Sequence, residues 1–232
     1  MYAKVFKRII DFCLSLTALI VLSPVFLVLI LIGSIVMKGN PFFTQLRPGK
    51  NEKIFKLIKF RTMTNAKDKE GNLLPDDKRL TSYGKMLRST SLDELPEFIN
   101  IVKGDMAVVG PRPQLVKDMV FMSTEERMRH TVRPGLTGLA QVNGRNNMTW
   151  EKKFEFDLQY IEKITLWKDL KIIAKTALKV LQRDGINEEG MATAEDLGDY
   201  LLRKGIIELK EYDLRQKEAR ELLFLRNKHS KN

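Results

Sequence analysis

Residues 9–37 read IIDFCLSLTALIVLSPVFLVLILIGSIVM, and the placement of this run decides the fold. Asp11 is its sole charge. A membrane-crossing helix needs about 20 apolar residues, and the run exceeds that. Three readings are open: a tilted straight span, a helix buried in a core, and a helix that enters a membrane, bends and returns to the same face. Two features favour the third. Pro24 follows Ser23 at the middle of the run, where it removes a helical hydrogen bond and crowds the preceding turn. The Ser23 hydroxyl can satisfy a freed carbonyl, which makes a kink sustainable in lipid. The second feature is the flanks. Lys4, Lys7 and Arg8 precede the run, and Lys38, Arg47 and Lys50 follow it. Positive charge prefers the cytoplasmic side, so basic flanks at both ends fit a hairpin with both ends on that face. A secretory signal is not expected, because its apolar region would be shorter and a small-residue cleavage site should follow.

The rest of the composition narrows the partners. The chain has 232 residues, 44% hydrophobic and 30% charged, with a formal net charge of +11. That excludes a disordered polyelectrolyte and a collagen-like chain. One cysteine, Cys13, allows neither an internal disulfide nor a cysteine-based zinc site. Two histidines, His130 and His229, leave little material for a histidine metal site. The basic excess is concentrated in residues 1–60, where nine Lys/Arg face only Asp11 and Glu52. An anionic partner follows: nucleic acid, anionic lipid or phosphate. The apolar run and the lack of an aromatic–basic RNA motif argue against nucleic acid.

Beyond the run, turn residues punctuate the chain. Residues 42–46 and 54–60 flank a turn at Pro48-Gly49-Lys50-Asn51 and predict a small β-hairpin. Residues 65–79 read as an exposed loop. A helix is expected from Ser82 to Arg88, and another begins at Ser91. The Gly- and Asn-rich stretch from Arg133 to Asn146 reads as loop. From Trp150 to Arg183 the pattern turns helical, with Leu170, Ile173, Ala174, Ala177 and Leu181 at helical spacing. That stripe fits an ordinary core face. With Trp167 and the flanking lysines it also fits an interfacial helix lying on anionic lipid. Residues 186–232 read as a polar helical tail. The expected class is therefore helix-rich α+β, with a re-entrant membrane helix over 1–40, a catalytic domain over 41–185 and a helical extension over 186–232.

Two sets of residues can carry chemistry. Ser91-Leu92-Asp93-Glu94-Leu95-Pro96 places adjacent carboxylates at a helix start. Ser91 and Glu94 fit a capping box, with Asp93 favouring the helix dipole. The same geometry can hold a divalent cation through carboxylate oxygens, or supply a nucleophile that forms an aspartyl phosphate. Lys59, Arg61, Arg88, Arg112, Arg133 and Arg145 lie at element ends or in Gly/Pro loops. Each alone is an ordinary surface charge, but as a set they suit a phosphate clamp. Nucleotide-binding glycine loops, zinc-peptidase and serine-hydrolase signatures are absent.

At these residues the chain resembles the bacterial sugar transferase family, the small monotopic phosphoglycosyl transferases. The resemblance runs from Lys7-Arg8-Ile9-Ile10-Asp11 to about Thr193. It is carried by Ser23-Pro24, Phe43-Thr44-Gln45-x-Arg47-Pro48-Gly49, Lys59-Phe60-Arg61-Thr62-Met63 and Arg88-x-x-Ser91-Leu92-Asp93-Glu94-Leu95-Pro96. Lys103-Gly104-Asp105-Met106, Val109-Gly110-Pro111-Arg112-Pro113, the segment from Arg133 to Asn146 and Trp150-Glu151-x-Lys153-Phe154 complete it. The resemblance implies transfer of a sugar 1-phosphate from a UDP-sugar to polyprenyl phosphate, with release of UMP. It implies a bacterial inner-membrane protein that is monotopic on the cytoplasmic face. It assigns Asp93 as nucleophile, Asp93 and Glu94 as Mg²⁺ ligands, and Lys59, Arg61, Arg88, Asp105, Arg112, Arg133 and Arg145 as substrate and phosphate contacts. Ser23 and Pro24 become the membrane bend. A homodimer stays open, as does a catalytically silent scaffold of the same fold. The tail beyond Thr193 exceeds the family pattern.

Overall fold

A computed structural model describes residues 1–144, 148–182 and 195–229 of the chain. A π-helical turn at Tyr2–Phe6 runs into α1 (Lys7–Val21), which stops at Leu22 and continues as α2 (Ser23–Val36). The two axes are bent by 64°. Pro24 falls in the first turn of α2, where its missing N–H costs nothing to the new helix. The Ser23 hydroxyl donates to Ile20 O at 2.8 Å, which occupies a carbonyl freed by the break. No single described helix is long and apolar enough to cross a membrane, whereas the bent pair together meets that test.

The polarity of this pair is inverted. Lys7, Asp11 and Ser15 of α1 are buried against the rest of the protein, while Ile9, Ile20, Leu27, Leu31 and Ile35 face outward. Arg8 donates to Ile101 O and Val102 O. Lys7 pairs with Asp169, and Asp11 accepts from Val108 N–H. Burying charge is tolerable because each group is paired.

The predicted hairpin is present and longer than expected. β1 (Phe42–Pro48) and β2 (Ile54–Phe60) run antiparallel, with Phe42 opposite Phe60 and Arg47 opposite Phe55. Phe60 stacks on Phe42 and contacts Phe26, with ring centroids 5.4 and 5.1 Å apart, which fastens the hairpin to α2. Phe55 and Leu57 pack against Ile101 and Met106.

Downstream, α3 (Asp76–Arg79) is a single helical turn inside the stretch read as loop. α4 (Ser82–Ser89) begins where Thr81 accepts from Gly84 N–H at 2.9 Å. Gly84 lies so close to Thr62 O that a β-carbon would sit 2.0 Å away. α5 (Glu97–Lys103) ends at Gly104, whose φ of 91° few other residues adopt. β3 (Ala107–Val109), α6 (Val116–Met119) and α7 (Thr124–Arg127) follow.

The segment read as loop from Arg133 is a strand and a helix over its described part. β4 (Gly135–Thr137) pairs parallel with β3, and α8 (Leu139–Gly144) follows. Here glycine serves close packing rather than a turn: a β-carbon on Gly135 would lie 2.1 Å from Gly110 N.

The helical stretch from Trp150 is two helices, α9 (Trp150–Glu162) and α10 (Leu166–Gln182), split at residues 163–165. The core face of α10 is Asp169 and Ile172, and of the expected stripe Ile173 packs partly against the same cluster. Leu170, Ala174, Ala177, Leu178 and Trp167 are exposed, Trp167 to 75%. In the tail, α11 (Leu197–Arg203) packs Leu197 and Tyr200 against Trp150 and Phe154. α12 (Leu209–His229) packs Ala219, Leu222 and Leu223 on α6. Over the described residues the protein is thus helix-rich α+β with two small two-stranded sheets.

Candidate active site

The chain between α4 and α5 builds the centre of the site. Ser91 adopts a left-handed conformation, with φ 56°, and a 3₁₀ turn spans Leu92–Glu94. The expected capping box does not form: Ser91 makes no side-chain cap bond, and α5 starts only at Glu97, after Pro96. Pro96 contributes to the offset, since it has no N–H with which to carry an α-helical bond back to Leu92. The carboxylates of Asp93 and Glu94 are therefore not spent on a helix end.

Glu94 Oε1 accepts from Lys59 Nζ and from Arg112 Nη2, each at 2.8 Å. Lys59 also lies 3.0 Å from Glu97 Oε1. Lys59 comes from β2 and Arg112 from the Gly110–Pro113 loop after β3, so three separate segments meet here. Glu97, at 2% exposure, is a member the sequence reading missed. Its position one turn past Glu94 on a helical period was the available signal.

The electrostatics sort the three carboxyls. Burial raises Glu94, but Lys59 and Arg112 more than offset it and hold the group well below the usual carboxylate range. Burial, reinforced by Glu94, pushes Glu97 up to about 7 against the pull of Lys59. Asp93 is raised to about 6 by burial and by neighbouring Glu94. Lys59, Arg112 and Arg88 act on Asp93 at longer range, yet among the described residues it forms no ion pair within 4.0 Å. A carboxylate that is desolvated, unpaired and ringed by cations is suited to attack an anionic electrophile. The cations lower the repulsion, and the burial keeps the oxygen poorly hydrated.

Of the expected phosphate contacts, Lys59, Arg88 and Arg112 surround Asp93 and Glu94. Arg88 Nε donates to Thr62 Oγ1 at 3.2 Å. Arg61 follows β2, with its backbone N–H on Pro41 O, and does not pair with either carboxylate. Asp105 and Arg133 do not join the cluster. Both sit at the opposite end of α5, where Asp105 accepts from Asn100 at 3.3 Å and Arg133 Nε donates to Gly104 O at 2.7 Å. Arg133 there covers a C-terminal carbonyl of a helix, which a cation does favourably. Arg145 lies outside the described residues.

On this helix-rich α+β scaffold a carboxylate held by lysine and arginine thus stands beside one with no ion pair among the described residues. The chain belongs to the bacterial sugar transferase family, which it matches over residues 2–183. It is 45% identical over 196 residues to the uncharacterized sugar transferase EpsL of Bacillus subtilis (strain 168), covering 82% of this chain and 95% of that protein. It is 44% identical over 185 residues to the UDP-glucose:undecaprenyl-phosphate glucose-1-phosphate transferase of Klebsiella pneumoniae. That match covers 75% of this chain and only 40% of the longer relative. The exopolysaccharide production protein ExoY of Sinorhizobium fredii (strain NBRC 101917 / NGR234) is 36% identical, over 73% of this chain and 83% of its own.

Proposed function

We propose that this protein is a phosphoglycosyl transferase that moves a sugar 1-phosphate from a UDP-sugar to polyprenyl phosphate. The observation that carries the reading is Asp93, without an ion pair among the described residues, beside a Glu94 held by Lys59 and Arg112. The names of the Klebsiella relative and of an undecaprenyl-phosphate galactose phosphotransferase from Salmonella typhimurium, 35% identical, support the substrate classes.

In this reading an Asp93 carboxylate oxygen attacks the β-phosphorus of the UDP-sugar. The bond from that phosphorus to the bridging oxygen breaks, and UMP departs with the oxygen and the electron pair. The sugar phosphate is then esterified to Asp93. A phosphate oxygen of polyprenyl phosphate attacks the same phosphorus, frees the carboxylate and yields polyprenyl diphosphosugar. Arg112 and Arg88 hold phosphate oxygens. Lys59 keeps Glu94 ionised, which fixes the charge pattern around the nucleophile.

The donor set fits Mg²⁺. Asp93 and Glu94 are adjacent hard-oxygen donors, and Asp93 forms no ion pair with a cation among the described residues. Among the described residues no cluster of three or more ligating side chains forms a closed cage. Mg²⁺ commonly takes one or two carboxylates and completes its shell with water and substrate phosphates. When bound, it supplies charge that stabilises the diphosphate and the departing UMP.

The bent α1–α2 pair, apolar outward and polar inward, supports a re-entrant insertion with both ends on the cytoplasmic face of a bacterial inner membrane. Trp167, Leu170 and Leu178 on α10 supply a second apolar face for the headgroup region. The acceptor phosphate then lies at the depth of the site. The test is nucleotide release from purified protein with Mg²⁺, undecaprenyl phosphate and a panel of UDP-sugars. UMP that depends on all three supports the reading; UDP as the product overturns it in favour of ordinary glycosyl transfer.

A further inference from the structure

Gln45-x-Arg47 on β1 and the buried Arg129 take no part in the chemistry above, yet both end on the loop that carries Arg112. Pro111 and Pro113 remove two N–H donors from this loop, so it is held through its carbonyls. Three consecutive carbonyls are each occupied, from three different segments. Pro111 O accepts from Gly135 N at 2.9 Å, Arg112 O from Arg129 Nη2 at 2.7 Å and Pro113 O from Arg47 Nη1 at 3.0 Å.

Both arginines are themselves fixed. Arg129 Nε and Nη2 donate to Asp157 Oδ2 at 3.0 and 2.6 Å, and this pair is almost fully buried. The Arg129 guanidinium also lies 5.7 Å from the Phe154 ring centroid. Arg47 Nη2 donates to Gln45 Oε1 at 2.7 Å on its own strand. A planar guanidinium can bond a second acceptor and a loop carbonyl at once, which a lysine ammonium on a flexible stem does poorly. The side chain of Arg112 is different: it is 45% exposed and rotamer-rich. Its reach to Glu94 depends on where its backbone is held.

We infer that Arg47 and Arg129 are positioning residues that set Arg112 against Glu94 and the substrate diphosphate. The kinetic side of this inference rests on the phosphoglycosyl transferase reading. Breaking a buried pair by one substitution leaves an unpaired charge, so the informative variant is R129M/D157L, where apolar replacement of both partners commonly preserves stability. R47M is the second, independent variant. Each is expected to keep a cooperative thermal transition while kcat for UMP release falls roughly tenfold or more, with KM for the UDP-sugar changed much less. In an R112A background the same substitutions should have no further effect, since they act through Arg112. Wild-type kcat in both variants, or an equal loss with and without Arg112, overturns the inference. Hydrogen exchange at the Gly110 and Gly135 amides, which donate to Thr137 O and Pro111 O at the root of this loop, reads the anchors without turnover and is expected to quicken about tenfold if Arg129 is lost. Unchanged exchange overturns the anchoring. Wild-type protein that releases no UMP overturns the reaction instead, and the exchange result still decides the anchors.

Discussion

Asp169 and Glu94 each stand at the centre of a charge cluster, the first buried and the second part-buried, and the two are completed differently. Around Asp169, Tyr2, Lys7 and Tyr160 donate at 2.7, 2.8 and 2.8 Å. Lys7 is shared with Asp11 at 3.5 Å, and Asp11 in turn accepts a backbone N–H. Every carboxylate there has a direct partner. Around Glu94, Lys59 and Arg112 converge on one oxygen, Glu97 shares Lys59, and Asp93 receives no direct cation from the described residues. The first arrangement seats α1 on α10 and asks nothing else of its charges. The second keeps one carboxylate under-compensated at a burial that makes its ionised form costly, as reactive groups are often kept.

The largest expected effect follows from removing that carboxylate's charge. D93N should lower kcat for UMP release by about 10³-fold or more, on the scale of losing a nucleophile. Its thermal stability should hold or rise, because a strained charge is relieved. D169N should do the opposite. It leaves buried Lys7 with only Asp11, at 3.5 Å, which costs up to about 3–5 kcal/mol, or a Tm loss on the order of 10 °C. UMP release per folded molecule should stay near wild type. Paired measurements of Tm and kcat on both variants check this. A destabilised D93N, or a D169N with unchanged Tm, breaks the contrast.

The pH dependence sharpens it. Asp93 must be ionised to attack, and burial with Glu94 raises it to about 6. The rate of UMP release should therefore climb with pH as Asp93 ionises and then level off, with a midpoint that a bound divalent cation lowers below the metal-free value of about 6. The stability sign runs the other way. A carboxyl raised above its unfolded value binds more protons when folded, so ionising it costs stability as pH rises. The Tm gain of D93N over wild type should be full above pH 6 and vanish below the unfolded aspartate value of about 4. A gain that persists at low pH removes the charge explanation.

The sequence was most readable where a residue type forces geometry. Pro24 dictates the break after α1, and Pro48-Gly49 closes the hairpin whatever the surroundings. It was least readable where tertiary contact decides. Gly135 and Gly138 have the look of turn residues, yet Gly135 sits in a strand because β3 approaches too closely for a side chain. On α10 the stripe through Leu170 was as periodic as a core face, but Asp169 and Ile172 face inward because Lys7 and Tyr160 wait there. Periodicity finds an apolar face and cannot say which solvent it meets. In the site, the adjacent carboxylates and the basic residues were visible as types. Their sorting was not: Arg133 and Arg112 are alike in sequence, but one caps α5 and the other meets Glu94.

The smallest expected effect tests how redundant the saturated cluster is. Tyr2 Oη donates to the Asp169 oxygen that also receives Lys7, while Tyr160 holds the other oxygen. Y2F removes one donor of three and leaves no buried charge unpaired. The cost should be about 1.5–3 kcal/mol, the range for a hydrogen bond to a charged acceptor. That corresponds to a Tm loss of a few degrees, with UMP release unchanged. Thermal unfolding of Y2F beside D169N measures the ratio directly. Losses of similar size would mean that Asp169 depends on Tyr2 as much as on Lys7, and that the seat of α1 is as finely balanced as the site it supports.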